Sequence, residues 1–227
     1  AVPEPGEELY DCLVDPHNVH NLASDPAHQT TLARMRGILN EWITYTRDAG
    51  LLPEAEMIMR GREDGRTIHE LVRSPDYPVD WLLRAANLAS AATIADFPEI
   101  LSLAGHSDPA VRYWAANAAI PLEPDNDEIH EALLQLLADA SPSVSLAAAE
   151  ALYRNGEREL IGPVYEEGLR HPEEMILIQA ISSLQTTDPE FAHRFVELVR
   201  ERLANAGRRD YDARAFRHFL SKFPSAK

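Results

Sequence analysis

DPAVRYWAANAA (residues 108–119) and SPSVSLAAAEAL (residues 141–152) can be laid over one another position for position, and their shared pattern decides the fold. Each opens on a helix-capping residue, Asp108 or Ser141, followed by a proline suited to the first helical position, where no N–H is required. Each then runs into small and apolar residues at helical spacing. Two further segments belong to the set, PVDWLLRAANLASAA from Pro78 and PEEMILIQAISSL from Pro172. Pro78, Pro109, Pro142 and Pro172 are separated by 31, 33 and 30 residues, the length of one helix pair. Ala85, Ala116, Ala149 and Ala180 hold corresponding places, where a small side chain lets two helix backbones approach closely.

Between these starts the apolar spacing predicts a second set of helices. Residues 127–139 place Ile129, Leu133, Leu136 and Leu137 on one face. Residues 97–104, 158–170 and 189–203 read the same way, and a last helix over 210–223 closes the series. A lone helix pair cannot bury its apolar side in water, whereas four stacked pairs share a continuous core. The expected class is mainly α: an α-solenoid of about four helix pairs plus a terminal helix. A hydrophobic content of 45% with aromatics at 7% and ten glycines agrees with helix over strand. The two phrases quoted above resemble HEAT repeats of the short bacterial type, and the resemblance covers residues 78–205. It speaks for architecture and is nearly silent about activity.

Composition narrows the function classes. A formal charge of −16 argues against nucleic acid, since phosphate binding needs a basic face. Residues 188–227 alone are mildly basic, with 9 bases against 6 acids; Arg194, Arg200, Arg202, Arg208, Arg209, Arg214 and Arg217 read as a solvated helix face. Cys12 is the single cysteine, so neither an intrachain disulfide nor a CxxC pair can form. No apolar run is long enough to span a membrane.

Residues 1–60 do not share the repeat. Glu8-Leu9-Tyr10-Asp11-Cys12-Leu13-Val14 reads as a short strand, Asp15-Pro16 as a turn, and Asp25-Pro26 as the cap of a helix. That helix carries Leu32, Met35, Ile38, Leu39 and Trp42 as an apolar stripe and is expected to end at Leu51-Leu52-Pro53. The string ELYDCLVDPHNVHNLASDP closely resembles the ELYDL-x-x-DP-x-E-x-x-NLA segment near the C-terminus of sulfatases of the alkaline phosphatase superfamily. Leu9, Tyr10, Asp11, Asp15, Pro16, Asn21, Leu22 and Ala23 match as they stand, while Cys12 replaces a leucine and Asn18 a glutamate. The resemblance covers about residues 7–60. It implies the last strand of a small antiparallel sheet with a helix packed on it, hence a truncated α/β enzyme subdomain.

The resulting division is 1–60 as a sulfatase C-terminal remnant, 61–77 as a linker and 78–227 as the repeat domain. The chain is then a non-catalytic C-terminal module of a sulfatase-like enzyme, giving structural support, protein interaction or substrate-side binding. Its partners would be the parent's catalytic domain and, beyond it, a protein or a sulfated saccharide. Calcium and formylglycine are implied for that catalytic domain, and a periplasmic or extracellular location for the whole. Cys12 is not the formylglycine precursor, because Leu13-Val14-Asp15-Pro16 follows it where C/S-x-P-x-R is needed. The alternative is an independent helical-repeat scaffold unrelated to sulfatases.

No catalytic residue is expected. Glycine-rich phosphate loops, G-x-S-x-G and H-E-x-x-H are absent from the sequence. His17 and His20 beside Asp15 lack a third ligand nearby in sequence, and no metal site is expected. The binding candidates are Trp81 and Arg84 of one repeat with Arg112, Tyr113 and Trp114 of the next: an aromatic face with guanidinium groups suits a sulfated sugar or a peptide. The competing reading makes both tryptophans inter-repeat core. Asn87, Asn117, Glu150 and Gln179 recur at similar places, as a polar ladder between helices or as a solvent edge.

Overall fold

The computed structural model describes residues 6–122, 126–205 and 211–223, the side chain of Asp64 excepted. Residues 1–5, Arg208, Arg209 and Asp210 lie outside the described residues. The chain divides into two units, Ala1–Asp48 and Ala49–Lys227.

The first unit contains α1 (Gln29–Thr46), preceded by a 3-10 turn over Pro26–His28. Asp25 caps the 3-10 turn, its carboxylate accepting from the Ala27 N–H at 2.8 Å, and α1 itself starts after His28 without a side-chain cap bond. The helix ends earlier than expected, at Arg47 in the left-handed conformation with φ 53°. The expected strand over residues 8–14 is not formed, and among the described residues no strand occurs. One backbone bond joins this stretch to its neighbour, Leu22 N–H to Leu9 O at 2.7 Å, and the Leu9 N–H goes instead to the Asn21 side chain at 3.0 Å. Residues 11–15 close into a turn on the Asp11 carbonyl. A ladder needs a partner strand to satisfy alternate backbone groups, and here side-chain oxygens do that work.

The second unit is all helix among its described residues. It runs α2 (Glu54–Asp64), α3 (Ile68–Arg73), α4 (Val79–Ala91), α5 (Phe97–Ala104), α6 (Pro109–Ala119) and α7 (Asp127–Leu136). Then follow α8 (Pro142–Arg154), α9 (Arg158–Arg170), α10 (Glu174–Leu184), α11 (Pro189–His193), α12 (Val196–Asn205) and α13 (Tyr211–Ser221). The expected helices over 97–104 and 158–170 match α5 and α9. The one over 189–203 is broken into α11 and α12, and the break lets Ala192, Phe195 and Val196 all be buried. Residues 61–77 hold the end of α2 and all of α3, with Leu71, Val72 and Tyr77 buried.

Packing is sequential. The helices that open on the repeated prolines lie side by side in the order α4, α6, α8, α10, with α13 beside α10. The intervening helices pack against them: α5 on α6, α7 on α8, α9 between α8 and α10. Ala85, Ala116, Ala149 and Ala180 are all fully or almost fully buried, as close backbone approach requires. Gly168 serves the same end from α9, since a Cβ there would stand 2.9 Å from the Ala180 Cβ and 3.1 Å from a Leu146 methyl. Tyr165, Phe191 and Phe195 form an edge-to-face cluster at 5.4–5.9 Å, and Phe216 and Phe219 of α13 complete the core.

Candidate functional site

A polar constellation at the N-terminal ends of the helices that open the repeats is built on α2. Glu56, only 4% exposed, accepts from the Ser141 hydroxyl at 2.5 Å and from Arg60 at 3.2 Å. Arg60 forks onto both oxygens of Asp108, the cap of α6, at 2.8 and 3.0 Å. Burial alone pulls the Arg60 guanidinium down, but Asp108 and Glu56 outweigh it and leave its pKa raised. Arg62 pairs with Glu173 at the start of α10. One helix thus fastens the leading ends of α6, α8 and α10. Ser141 therefore departs from the sequence reading: its hydroxyl makes no cap bond to α8, because it donates to Glu56. The adjacent Asp139 side chain accepts the Ser141 N–H at 2.8 Å.

The five candidate residues fall into two environments. Arg112 forks onto Asp139 at 2.6 and 2.8 Å and reaches the carbonyls of His106 and Ser107 at 2.8 and 3.0 Å. Its pKa is raised, chiefly by the Asp139 hydrogen bond. Trp114 donates its indole N–H to the Leu51 carbonyl at 2.7 Å and meets Tyr113 edge-on at 5.4 Å. Burial raises the Tyr113 hydroxyl pKa. Trp114 thus ties α6 to Leu51, while these contacts of Arg112 and Tyr113 lie within residues 106–139.

Trp81 and Arg84 are different. Trp81 is 43% exposed, with the Arg84 guanidinium 5.6 Å from its ring centre and the His106 ring 5.2 Å away. Arg84 also pairs with Glu99 of α5. His106 accepts the Asp108 N–H on its Nδ1 at 3.0 Å. Sequence reading missed His106 and Glu99, although His106-Ser107-Asp108-Pro109 is repeated as His171-Pro172-Glu173, where His171 likewise accepts the Glu173 N–H at 3.1 Å. It also missed Glu56 and Arg60, whose i,i+4 spacing reads as an ordinary surface pair.

The recurrent polar positions do not form a continuous ladder. Asn117 bonds its own helix at Tyr113 O, Glu150 takes the Thr186 hydroxyl at 3.5 Å, and Gln179 exchanges bonds with Ser143 of α8. Only the last pair links two neighbouring first helices. His20 stands 3.5 Å from Asp15, and among the described residues no three His, Cys, Asp or Glu side chains converge as a metal site needs. No described helix is long and apolar enough to cross a membrane.

Part of the chain is similar to sulfatases. It is 44% identical over 55 residues to an ulvan-active sulfatase of Formosa agariphila, a match covering 24% of this chain and 9% of that protein. It is 39% identical over 67 residues to a Δ4,5-hexuronate-2-O-sulfatase of Bacteroides thetaiotaomicron, covering 29% of this chain and 14% of the relative. The chain thus spans a small fraction of the length of the curated relatives it matches. No protein-family model and no solved structure matches it.

Proposed function

We propose that the chain is a non-catalytic C-terminal module of a sulfatase-like enzyme. In this reading residues 49–227 are a HEAT-like repeat array, and the unit before them docks on the enzyme's catalytic region. The supporting observation is the bare apolar face of α1. Met35, Ile38, Leu39, Trp42 and Tyr45 recur at helical spacing and are 49–87% exposed, while Leu32 alone in this helix is buried. Full burial of one such side chain contributes about 1.5–3 kcal/mol, so covering five half-exposed ones supplies several kcal/mol. The partial similarity to sulfatases makes the catalytic region of such an enzyme the fitting cover.

The chemistry of ester cleavage belongs to that region. Cys12 is exposed and lacks the residues that formylglycine formation needs, and the described acids and histidines offer no donor set for calcium. The array's part is to support the enzyme, to bind a partner or to wall the substrate side. A periplasmic or extracellular setting goes with the reading.

The test is sulfate release from 4-nitrophenyl sulfate by the full-length parent, by a version ending at Asp48, and by the full-length Ile38→Asp/Trp42→Asp variant. The version ending at Asp48 is expected to keep cleaving the small ester. The double variant is expected to lose at least tenfold through poor docking, while the same changes in the 227-residue chain alter its stability by no more than about 0.5 kcal/mol. A parent without C/S-x-P-x-R upstream, or without sulfate release, would sink the proposal.

A further inference from the structure

Trp81 is 43% exposed on the array, whereas Trp114 is tied internally through its N–H. Arg84 and His106 stand beside the Trp81 indole and Glu99 is paired with Arg84, and the hydrogen-bonding characters of the three differ. The Arg84 guanidinium, 5.6 Å from the ring centre, is a donor only. Glu99, paired with Arg84, is an acceptor only. His106 accepts a backbone N–H on Nδ1, so a neutral imidazole there carries its proton on Nε2 and presents a donor. The His106 turn is itself fixed, because the same Asp108 is gripped by Arg60 and the His106 carbonyl by Arg112.

We propose that Trp81, flanked by Arg84, Glu99 and His106, is a binding platform for an uncharged pyranose unit of a saccharide chain. A pyranose has an apolar C–H face that covers an indole, and hydroxyls around its edge that need donors and acceptors together. An apolar peptide side chain would use the indole and none of the hydrogen-bonding capacity that the three polar groups have left beyond the Arg84–Glu99 pair and the His106 Nδ1 bond. The Arg84–Glu99 pair is balanced in charge and the chain carries −16, so the platform offers a sulfated unit no surplus of positive charge. The proposal deepens the sulfatase-like reading and rests on it for the presence of a saccharide nearby, with the platform holding unsulfated stretches of the chain.

The experiment is a titration of the 15N-labelled 227-residue chain with cellohexaose, mannohexaose, xylohexaose and a heparin hexasaccharide, followed at the indole N–H signals of its three tryptophans. At least one neutral hexasaccharide is expected to move the Trp81 signal saturably, with a dissociation constant on the order of 1 mM, and to bind more tightly than the heparin fragment. The effect disappears in Trp81→Ala, while an unmoved Trp114 signal reports an intact fold. Arg84→Ala and His106→Ala each weaken binding about three- to tenfold, the worth of one exposed hydrogen bond. The platform is overturned by the absence of any saturable shift up to about 20 mM of every probe, by a shift that survives Trp81→Ala, or by tighter binding of the heparin fragment. Because no sulfate release is read, such a failure leaves the enzyme-module reading standing, and loss of that reading leaves the titration unaffected.

Discussion

The unit before Ala49 and the array after it solve the same problem in opposite ways. In the array, Leu82, Leu103, Leu152, Ile161, Tyr165, Ile176 and Phe216 have essentially no exposed surface, and its core joins residues from Ala55 to Phe219. Among the described residues of the first unit only Leu9 and Leu32 are buried, and much of the order there comes from polar side chains holding backbone. Asp15 accepts the N–H groups of Val19 and His20 at 2.8 and 2.7 Å, and Asn21 accepts those of Leu9 and Ala23 at 3.0 and 2.9 Å. Glu7 and Arg36 tie the leading segment to α1. Apolar burial dominates the array, whereas Met35, Ile38, Leu39, Trp42 and Tyr45 of the first unit keep about half or more of their surface exposed.

The contrast is tested most severely in the array's centre. Leu152→Ala, at a position with no exposed surface, should cost about 3–5 kcal/mol by lost transfer energy and cavity formation, seen as a large fall in the urea midpoint. A similarly large loss from Leu32→Ala would show that the first unit has a core of comparable quality and erase the distinction. Next comes Arg60→Ala, which strands Glu56 and Asp108 and should cost about 2–4 kcal/mol in thermal or urea unfolding; a neutral result would mean α2 is not a fastener of the repeats.

Gly168→Ala is expected to cost about 1–3 kcal/mol, because the new methyl meets the Ala180 Cβ at 2.9 Å and leaves no room without moving α9 from α10. The smallest effect is in the first unit. The backbone N–H of His20, then that of Val19, holds the Asp15 carboxyl below its ordinary pKa, and the hydrogen bond from Arg36 does the same for Glu7. A group depressed in this way contributes stability above its unfolded pKa, near 4, and loses it as pH falls through the lower folded value. The Val19 and His20 amide signals should therefore shift together on acidification, with a midpoint below the ordinary carboxylate value near 4; a midpoint at or above that value would contradict the Asp15 clasp.

Much of the array was legible because its determinants are local and repeated. Proline at the first helical position, Asp108 as a cap and alanine at the crossing points act within a turn or between neighbours of fixed spacing. Where a long-range partner intervenes, the local reading fails. Ser141 is a good cap by type, yet Glu56, 85 residues away, takes its hydroxyl. Residues 8–14 have strand composition, but a strand exists only with a partner, and Asn21 supplied side-chain bonds instead. The helix expected over 189–203 is broken so that Ala192, Phe195 and Val196 can all turn inward.

The candidate site divides along the same line. That Trp81, Arg84, Arg112, Tyr113 and Trp114 sit on successive first helices follows from the repeat period. Which of them face solvent does not. Arg112 finds Asp139 and Trp114 finds Leu51 O across gaps of 27 and 63 residues, while Trp81 gathers His106 from the next loop and remains open. The sequence by itself determined the helical periodicity, the order of the helix pairs and the strong negative charge, because these depend on near neighbours and on counting. Only the tertiary structure decided which side chains are exposed, Trp81 in the array and the apolar stripe of α1 in the first unit, because exposure depends on what distant segments bring to each position.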